Sequence, residues 1–558
     1  MRRGRKGKCM KHISSRPIAI LLVLLLLSVI GLSLLSCDGD GDELQTPTDT
    51  ASESVSDTEG VSETEADSET EAVSDSESAS DSGSQTESDE SITEETTAAE
   101  TEFTLPDPSL TPAAEMPRVD IVTAGGVDIT DRENYIRASI SLSNCDEEFV
   151  FTGSPANIRV RGNSTAGQVK KPYRIKFDSK QSFLGLNGGE KFKSWCLMAD
   201  YFDPSFMRNR VSFGMAAALM DDLYFSSDST HVEVYLNGNY RGVYLLCEQT
   251  QINKGRVNIY EKADGETSVE VGYLMVGQGG RTDEPDTVMI YPNINVTDRN
   301  GITAYLGQVN VSLSGGDFTE AQKNYVSKYV AGVYKVINYA INEKYYTLDR
   351  DGILWPKLEF EGTTTVEKQR ETIAAVFDLD AAVRMCILDE LVKNLDASTF
   401  NMYVDLSPAG DGRLTLAAPW DFDFALGNCR HTALTDPTGY YATNLTDSGG
   451  AGLRVNFLYA MLMRFDWFED AVCEVWQAHY NGIRLAVNDV MVNAYRYADA
   501  FNRDYGCWGL PSTHFNGDHH DKTQLDSFKT HMDAATCLHD WLVKRVAWLN
   551  DQWGVDEA

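Results

Sequence analysis

The chain has 558 residues, with 84 acidic against 48 basic side chains and a formal net charge of −36. So large an acidic excess excludes a general nucleic-acid binder, whose phosphate contacts need Lys and Arg in surplus. Beyond residue 37 no apolar stretch is long enough to span a bilayer, which excludes a polytopic membrane protein.

The charge is segregated along the chain. Residues 1–37 hold seven basic side chains and no acidic one, ahead of an apolar run over residues 18–35. A basic start, an apolar stretch and small residues at its end make a secretory signal. The run closes on Leu34-Leu35-Ser36-Cys37, which resembles a bacterial lipobox. The expectation is lipidation of Cys37 after cleavage and an extracytoplasmic domain anchored to the cell membrane. An uncleaved helical anchor is the alternative, with the same topology. Residues 38–102 carry 23 acidic residues, no basic one and almost nothing large and apolar. Such a segment cannot bury enough surface to offset its ordering entropy, so a disordered Ser/Thr-rich tether is expected over 38–117.

The folded part is expected over 118–555. Short strands are expected at 119–123, 136–142, 149–151 and 157–161, then the turn Arg161-Gly162-Asn163-Ser164-Thr165 and a strand at 173–177. Asp203-Pro204 reads as the start of a helix reaching about residue 220. A hairpin follows over 232–246 about Asn237-Gly238. From about residue 321 the apolar period becomes helical, over 321–345, 379–394, 455–465 and 468–495. A second hairpin interrupts these helices over 401–418. The expected class is α+β, a β-rich N-terminal half followed by a mostly helical half. The eight cysteines past the tether are scattered without C-x-x-C pairs; buried free thiols are the expectation, with a disulfide or two, of pairing not legible in the sequence, as the alternative outside the membrane.

The residues with most chemistry lie at 394–423. Asp396 and Asn401 stand five apart on a loop after a helix, and the hairpin returns the chain to Asp421-Phe422-Asp423. Three oxygen-bearing side chains on adjacent loops suit a hard divalent cation, and a spare carboxylate can accept a hydroxyl proton. The bland reading is a turn cap and surface carboxylates. In the β-rich half, the turn with Arg161, Asn163 and Ser164 and the strand ending in Lys176 can cover and grip phosphates. Glu248-Gln249 ends the first hairpin where a hinge would meet a base. Lys170, Lys171 and Lys176 read equally as a solvated edge, and Glu248 as a strand end. His514, His519 and His520 lack zinc-ligand spacing and read as a surface loop.

The order of Ile158–Thr165, Lys170–Phe177, Asp203-Pro204 with Met207–Arg210, Val234–Gly238 through Arg241–Leu246 to Glu248-Gln249, and the block over 393–427 resembles the spore-coat protein H (CotH) kinase family. That resemblance implies an atypical protein-kinase-like two-lobed fold. The implied reaction moves the γ-phosphoryl of ATP to Ser or Thr of a protein acceptor with Mg²⁺ or Mn²⁺. Asp396 would be the catalytic base, Asn401 and Asp421 metal ligands with Asp423 able to exchange with Asp421, and Lys176 the phosphate-pairing lysine. No G-x-G-x-x-G covers the phosphates, and the helix near 204–220 offers no Glu to pair with Lys176. The competing readings are a catalytically silent cell-surface or scaffolding module of the same fold, and a metal-dependent phosphohydrolase.

Overall fold

The computed structural model describes residues 107–162, 164–277, 286–395, 397, 400–429, 432–445, 456–509 and 527–554. The signal-like segment, residues 38–106 of the tether, Cys37, Asn163, Asp396 and His514, His519 and His520 lie outside the described residues. The last residues of the expected tether, 107–117, are described: Met116 is buried and the Ala114 N–H donates to the Arg496 carbonyl at 3.0 Å.

The N-terminal half closes on itself. Strands β1 (Arg118–Thr123), β2 (Ile136–Ser143), β3 (Phe151–Val160), β4 (Tyr173–Gln181), β5 (Phe192–Met198), β6 (Ser229–Leu236) and β7 (Asn239–Glu248) form a barrel in the order β1-β2-β3-β4-β5-β7-β6. Every pairing is antiparallel except β1 with β6, which closes the ring in parallel. Alternate side chains fill it: Tyr173, Ile175 and Phe177 from β4, Trp195 and Leu197 from β5, Tyr244 and Leu246 from β7. The opposite set, Arg174, Lys176, Ser194, Cys196, Cys247 and Gln249, therefore faces outward. Cys196 and Cys247 are fully buried there too, because further chain covers that face. This double burial gives β5 and β7 unbroken apolar runs instead of alternation.

A second sheet joins β16 (Thr415–Leu416), β15 (Asn401–Asp405), β8 (Gly272–Gly277), β12 (Val309–Ser314) and β9 (Thr287–Ile290) in that order. Two hairpins stand apart, β10 (Ile294–Thr297) with β11 (Thr303–Leu306), and β13 (Tyr346–Leu348) with β14 (Leu354–Pro356). The helices are α1 (Arg208–Met220), α2 (Glu320–Ile341), α3 (Thr365–Ala374), α4 (Leu379–Val392), α5 (Thr432–Thr435), α6 (Phe457–Leu462), α7 (Asp466–Arg496), α8 (Ala498–Trp508) and α9 (His531–Trp553). Helix α7 packs on α1, α4 and α9, and α8 packs on β7. None of the described helices is long and apolar enough to cross a membrane.

The α+β class and the strand-rich-then-helical order are as expected, and the strands of the N-terminal half close into a seven-stranded barrel, which the sequence reading does not specify. The expected strands at 149–151 and 157–161 are one ten-residue strand, β3. Helix α1 starts at Arg208, not at Pro204. The Asp203 carboxylate accepts from the backbone N–H of Ser205 at 2.8 Å and of Arg208 at 2.7 Å, which holds 203–207 as a turn instead of a first helical turn. Seven described cysteines form no disulfide, and four of them, Cys196, Cys247, Cys386 and Cys429, are buried as expected; Cys145 and Cys537 are half-buried, Cys507 is exposed, and Cys473 departs from the expectation by being disulfide-bonded.

Candidate active site

Helix α4 delivers the acidic loop. Asp378 caps its N-terminus, accepting from Ala381 N–H and from the Tyr224 hydroxyl at 2.9 Å. At its other end Lys393 turns left-handed (φ 45°), and its buried ammonium donates to the carbonyls of Ala433, Asp436 and Thr438. A fully buried ion pair, Glu390 with Arg545 of α9 at 2.8 Å, locks the same end. Removing one partner of such a pair strands the other charge without water.

Asn401 opens β15, and its amide donates to the Ala418 carbonyl at 2.6 Å. Asn394 donates to the Asp421 carbonyl at 3.2 Å. These two bonds draw the end of α4, the start of β15 and the 418–423 loop together. The backbone there is strained: Ala418, Asp421 and Leu426 all have positive φ, at 56°, 70° and 53°. For non-glycine residues that costs about 1–2 kcal/mol each, and such strain concentrates at functional sites. The Asp421 side chain is exposed and Asp423 is buried.

A buttress behind the loop holds that strain. Asn209 of α1 accepts from Phe422 N–H at 2.9 Å and donates to Asp200 at 2.8 Å. The Arg208 guanidinium donates to the Ala425 carbonyl, and Asn428 donates to the Phe202 carbonyl. Burial, with Asp203 beside it, pushes the Asp200 carboxyl up to about 8. Asp200 itself is left-handed (φ 43°), as is Phe206 (φ 56°). Two strained segments, 200–206 and 418–426, thus brace one another.

The barrel supplies the other wall. A cleft of about 330 Å³ lies on its outer face, lined by Arg174, Ser194, Gln249 and Gln251 with Glu261 and Ser314 opposite. The Nε of Arg174 is buried without a hydrogen-bond partner, and Arg174 makes no ion pair among the described residues. The Arg161 guanidinium sits 5.1 Å from the centroid of Trp420, the residue before Asp421. Gly162, at φ 84°, starts the turn after it, where a Cβ would stand 2.3 Å from Thr165 Oγ1. Ser164 is exposed in that turn.

The other expected residues fall as follows. Lys176 is exposed on the same face of β4 as Arg174, two residues on, with no ion pair among the described residues. Gln249 lines the cleft and accepts from the Cys196 thiol. Glu248 is buried and committed: its carboxylate takes Arg256 at 3.0 Å and Asn187 at 2.9 Å, and its N–H goes to the Asp228 carbonyl. Lys170 is not on a solvated edge. It is 1 % exposed, paired with Asp504 of α8 at 2.7 Å, and donates to the Val243 carbonyl. Asn209 and Arg174 escaped the sequence reading, although Arg174 shares the two-residue face period of Lys176.

The oxygen donors Asn401, Asp421 and Asp423 fit a hard cation in their chemistry, two carboxylates and an amide on a loop held in strain. Among the described residues no three His, Cys, Asp or Glu side chains are grouped to hold a metal on their own. A cation here would therefore draw on Asn401.

No curated protein matches the chain closely enough to count as a relative. The sequence profile of the CotH kinase protein family matches residues 158–549, from within β3 to within α9. That is well over half of the sequence, and it contains both the barrel cleft and the acidic loop. The chain belongs to the CotH kinase family.

Proposed function

We propose that the chain is a membrane-anchored, extracytoplasmic protein kinase that moves the γ-phosphoryl of ATP to Ser or Thr of a protein acceptor. Family membership supports a kinase-type role. The observation that carries the finer reading is Arg161 packed on Trp420. It sets a cation of the barrel against the residue that leads into Asp421, so groups suited to phosphate adjoin groups suited to a metal. In this reading the barrel half and the helical half act as the two lobes of a kinase-like fold.

Each residue then has a task. Arg174 and Arg161 would neutralise phosphate oxygens, with exposed Lys176, on the same face of β4 as Arg174, as a further cation. The turn at Gly162–Ser164 would close over the phosphates, and Gln249 would meet the base. Asn401, Asp421 and Asp423 would hold Mg²⁺ or Mn²⁺, which when bound would supply charge neutralisation to the phosphates. Asp396 would take the acceptor hydroxyl's proton as that oxygen bonds to the γ-phosphorus and ADP leaves. Lipidated Cys37 would tether the enzyme to the membrane.

The test uses the detergent-solubilised full chain with labelled ATP, Mg²⁺ or Mn²⁺, and an acidic Ser-rich acceptor. Phosphoserine formation that is lost in Asp396→Asn supports the reading. Free phosphate alone would make the protein a phosphohydrolase, and no turnover of ATP at all would leave a silent surface module.

A further inference from the structure

Strands β5 and β7 run antiparallel with Cys196 directly opposite Cys247, and Arg174 of β4 opposite Cys196 on the other side. The two thiols thus share the outward face of the barrel, in a row with a guanidinium that lines the cleft. They lie outside the barrel's apolar core, and nothing in the phosphotransfer reading uses them. Cys196 donates to Gln249 Oε1 at 3.0 Å, so one amide separates the thiol from the cleft.

The two sulfurs are not equivalent. A hydrogen bond from Cys247, with Arg161, Arg174 and Arg256 nearby, pulls the Cys196 thiol down to about 6, while burial pushes Cys247 up. An attacking thiolate beside a protonated partner is the arrangement of a reactive dithiol. Other thiols show the contrast. Cys386 and Cys507 are both shifted upward, in each case by burial first and then by carboxylates, Glu390 and Asp389 beside Cys386 and Asp504 beside Cys507.

We propose that Cys196 and Cys247 are a hydroperoxide-oxidisable thiol pair that closes into a cross-strand disulfide beneath the cleft. The oxidant must be small, because both sulfurs are covered, and hydrogen peroxide is close to water in size. The Cys196 thiolate attacks one peroxide oxygen, the O–O bond breaks, and the departing hydroxide takes a proton to leave as water. The resulting sulfenic acid is attacked at sulfur by Cys247. The S–O bond breaks, and the second hydroxide leaves as water with the Cys247 proton. Two thiols and one peroxide become one disulfide and two waters. Closure ends the contact of the Cys196 sulfur with the Gln249 amide and ties β5 to β7 next to Arg174, so the oxidised protein should bind nucleotide more weakly. That consequence rests on the phosphotransfer reading; the oxidation does not.

The full chain is exposed to graded hydrogen peroxide, alkylated and digested for peptide mass. The expected product is a Cys196–Cys247 crosslink, two hydrogens lighter, at peroxide levels that leave Cys386 alkylatable. Oxidation of exposed Cys507 with Cys196 and Cys247 still fully alkylated would overturn the proposal, and needs no variant to fold. Cys247→Ala, checked by its melting curve, should instead stop at sulfenic acid on Cys196, trapped by dimedone. Titration of the oxidised protein with an ATP analogue should show at least a threefold loss of affinity. Unchanged affinity with the crosslink present would overturn the consequence for the cleft while leaving the oxidation standing.

Discussion

The barrel interior and the acidic loop solve opposite problems. Inside the barrel, Trp195, Ile175, Leu246 and their neighbours are apolar and fully buried, on the inward-facing positions of the strands. Over 418–428 the backbone goes left-handed at three non-glycine residues and is pinned by buried Asn209, Arg208 and Asn428. The barrel contributes stability that the loop consumes. The contrast means that substitutions in the two regions should separate stability from binding.

Trp195→Ala gives the largest expected effect. It empties the centre of the barrel, where Trp195 packs edge-on against Phe183 and Phe192. The cost should be about 3–5 kcal/mol, read as a lower urea midpoint. A loss below about 1 kcal/mol would mean the barrel is not where the stability lies.

Asn209→Ala comes next. It strands Phe422 N–H and one acceptor of Asp200, and should cost about 1–3 kcal/mol. The loop it releases carries Asp421 and Asp423, so Mn²⁺ affinity should fall about tenfold, visible by electron paramagnetic resonance without any turnover. A stability loss with unchanged Mn²⁺ affinity would reduce Asn209 to a packing residue.

Asp421→Gly sharpens the comparison from the loop's side. Glycine takes φ 70° at no steric cost, so stability should hold or rise by up to about 1 kcal/mol. Metal-dependent nucleotide binding should be lost, because Asn401 is a neutral ligand. Wild-type Mg·ATP affinity by calorimetry would move the metal role to Asp423.

What the sequence shows divides along the same line. The hairpin about Asn237-Gly238 was legible because both turn residues take positive φ, the chemistry that dipeptide signals. The N-cap of α4 at Asp378 was legible for the same local reason. Strand β5 was not, since its outward face is covered and its residues lose the two-residue period. Strand β12 pairs with β8 and β9, and β8 pairs with β15 across more than a hundred residues, and no local pattern carries that. Helix α9 did carry a signal, the capping box of Thr530 and Asp533, which lay next to a polar loop. In the site, the residue types and their order were legible. Its support was not, because Asn209 meets Phe422 from 213 positions away and Lys170 meets Asp504 from 334.

The smallest effect is a pH profile, and its sign differs between the groups involved. His231 and His531 are buried and neutral; burial lowers them to about 3 and about 4, although each ring meets a backbone carbonyl. Their contribution is complete above the unfolded value of 6.5 and is lost as pH falls toward 4. Asp200 works the other way. Its folded value of about 8 lies above the unfolded 3.8, so its contribution is complete at low pH and is lost as pH rises to about 8. Asp389 behaves alike, raised by burial to about 7. The two windows overlap, so their slopes oppose one another there, and stability should decline below the overlap through the histidines and above pH 6.5 through the carboxyls. Between pH 7 and 8 the histidines are already neutral in both states and Asp389 is mostly ionised, so Asp200 dominates this slope. Asp200→Asn keeps an oxygen that can accept from Asn209 but removes the titration. Urea unfolding at pH 7 and pH 8 should show a measurable loss in the wild type and a flatter response in the variant. Equal slopes in the two proteins would mean that the buried Asp200 carboxyl does not titrate in this range, and that the strain at 200–206 is held without a protonated acid.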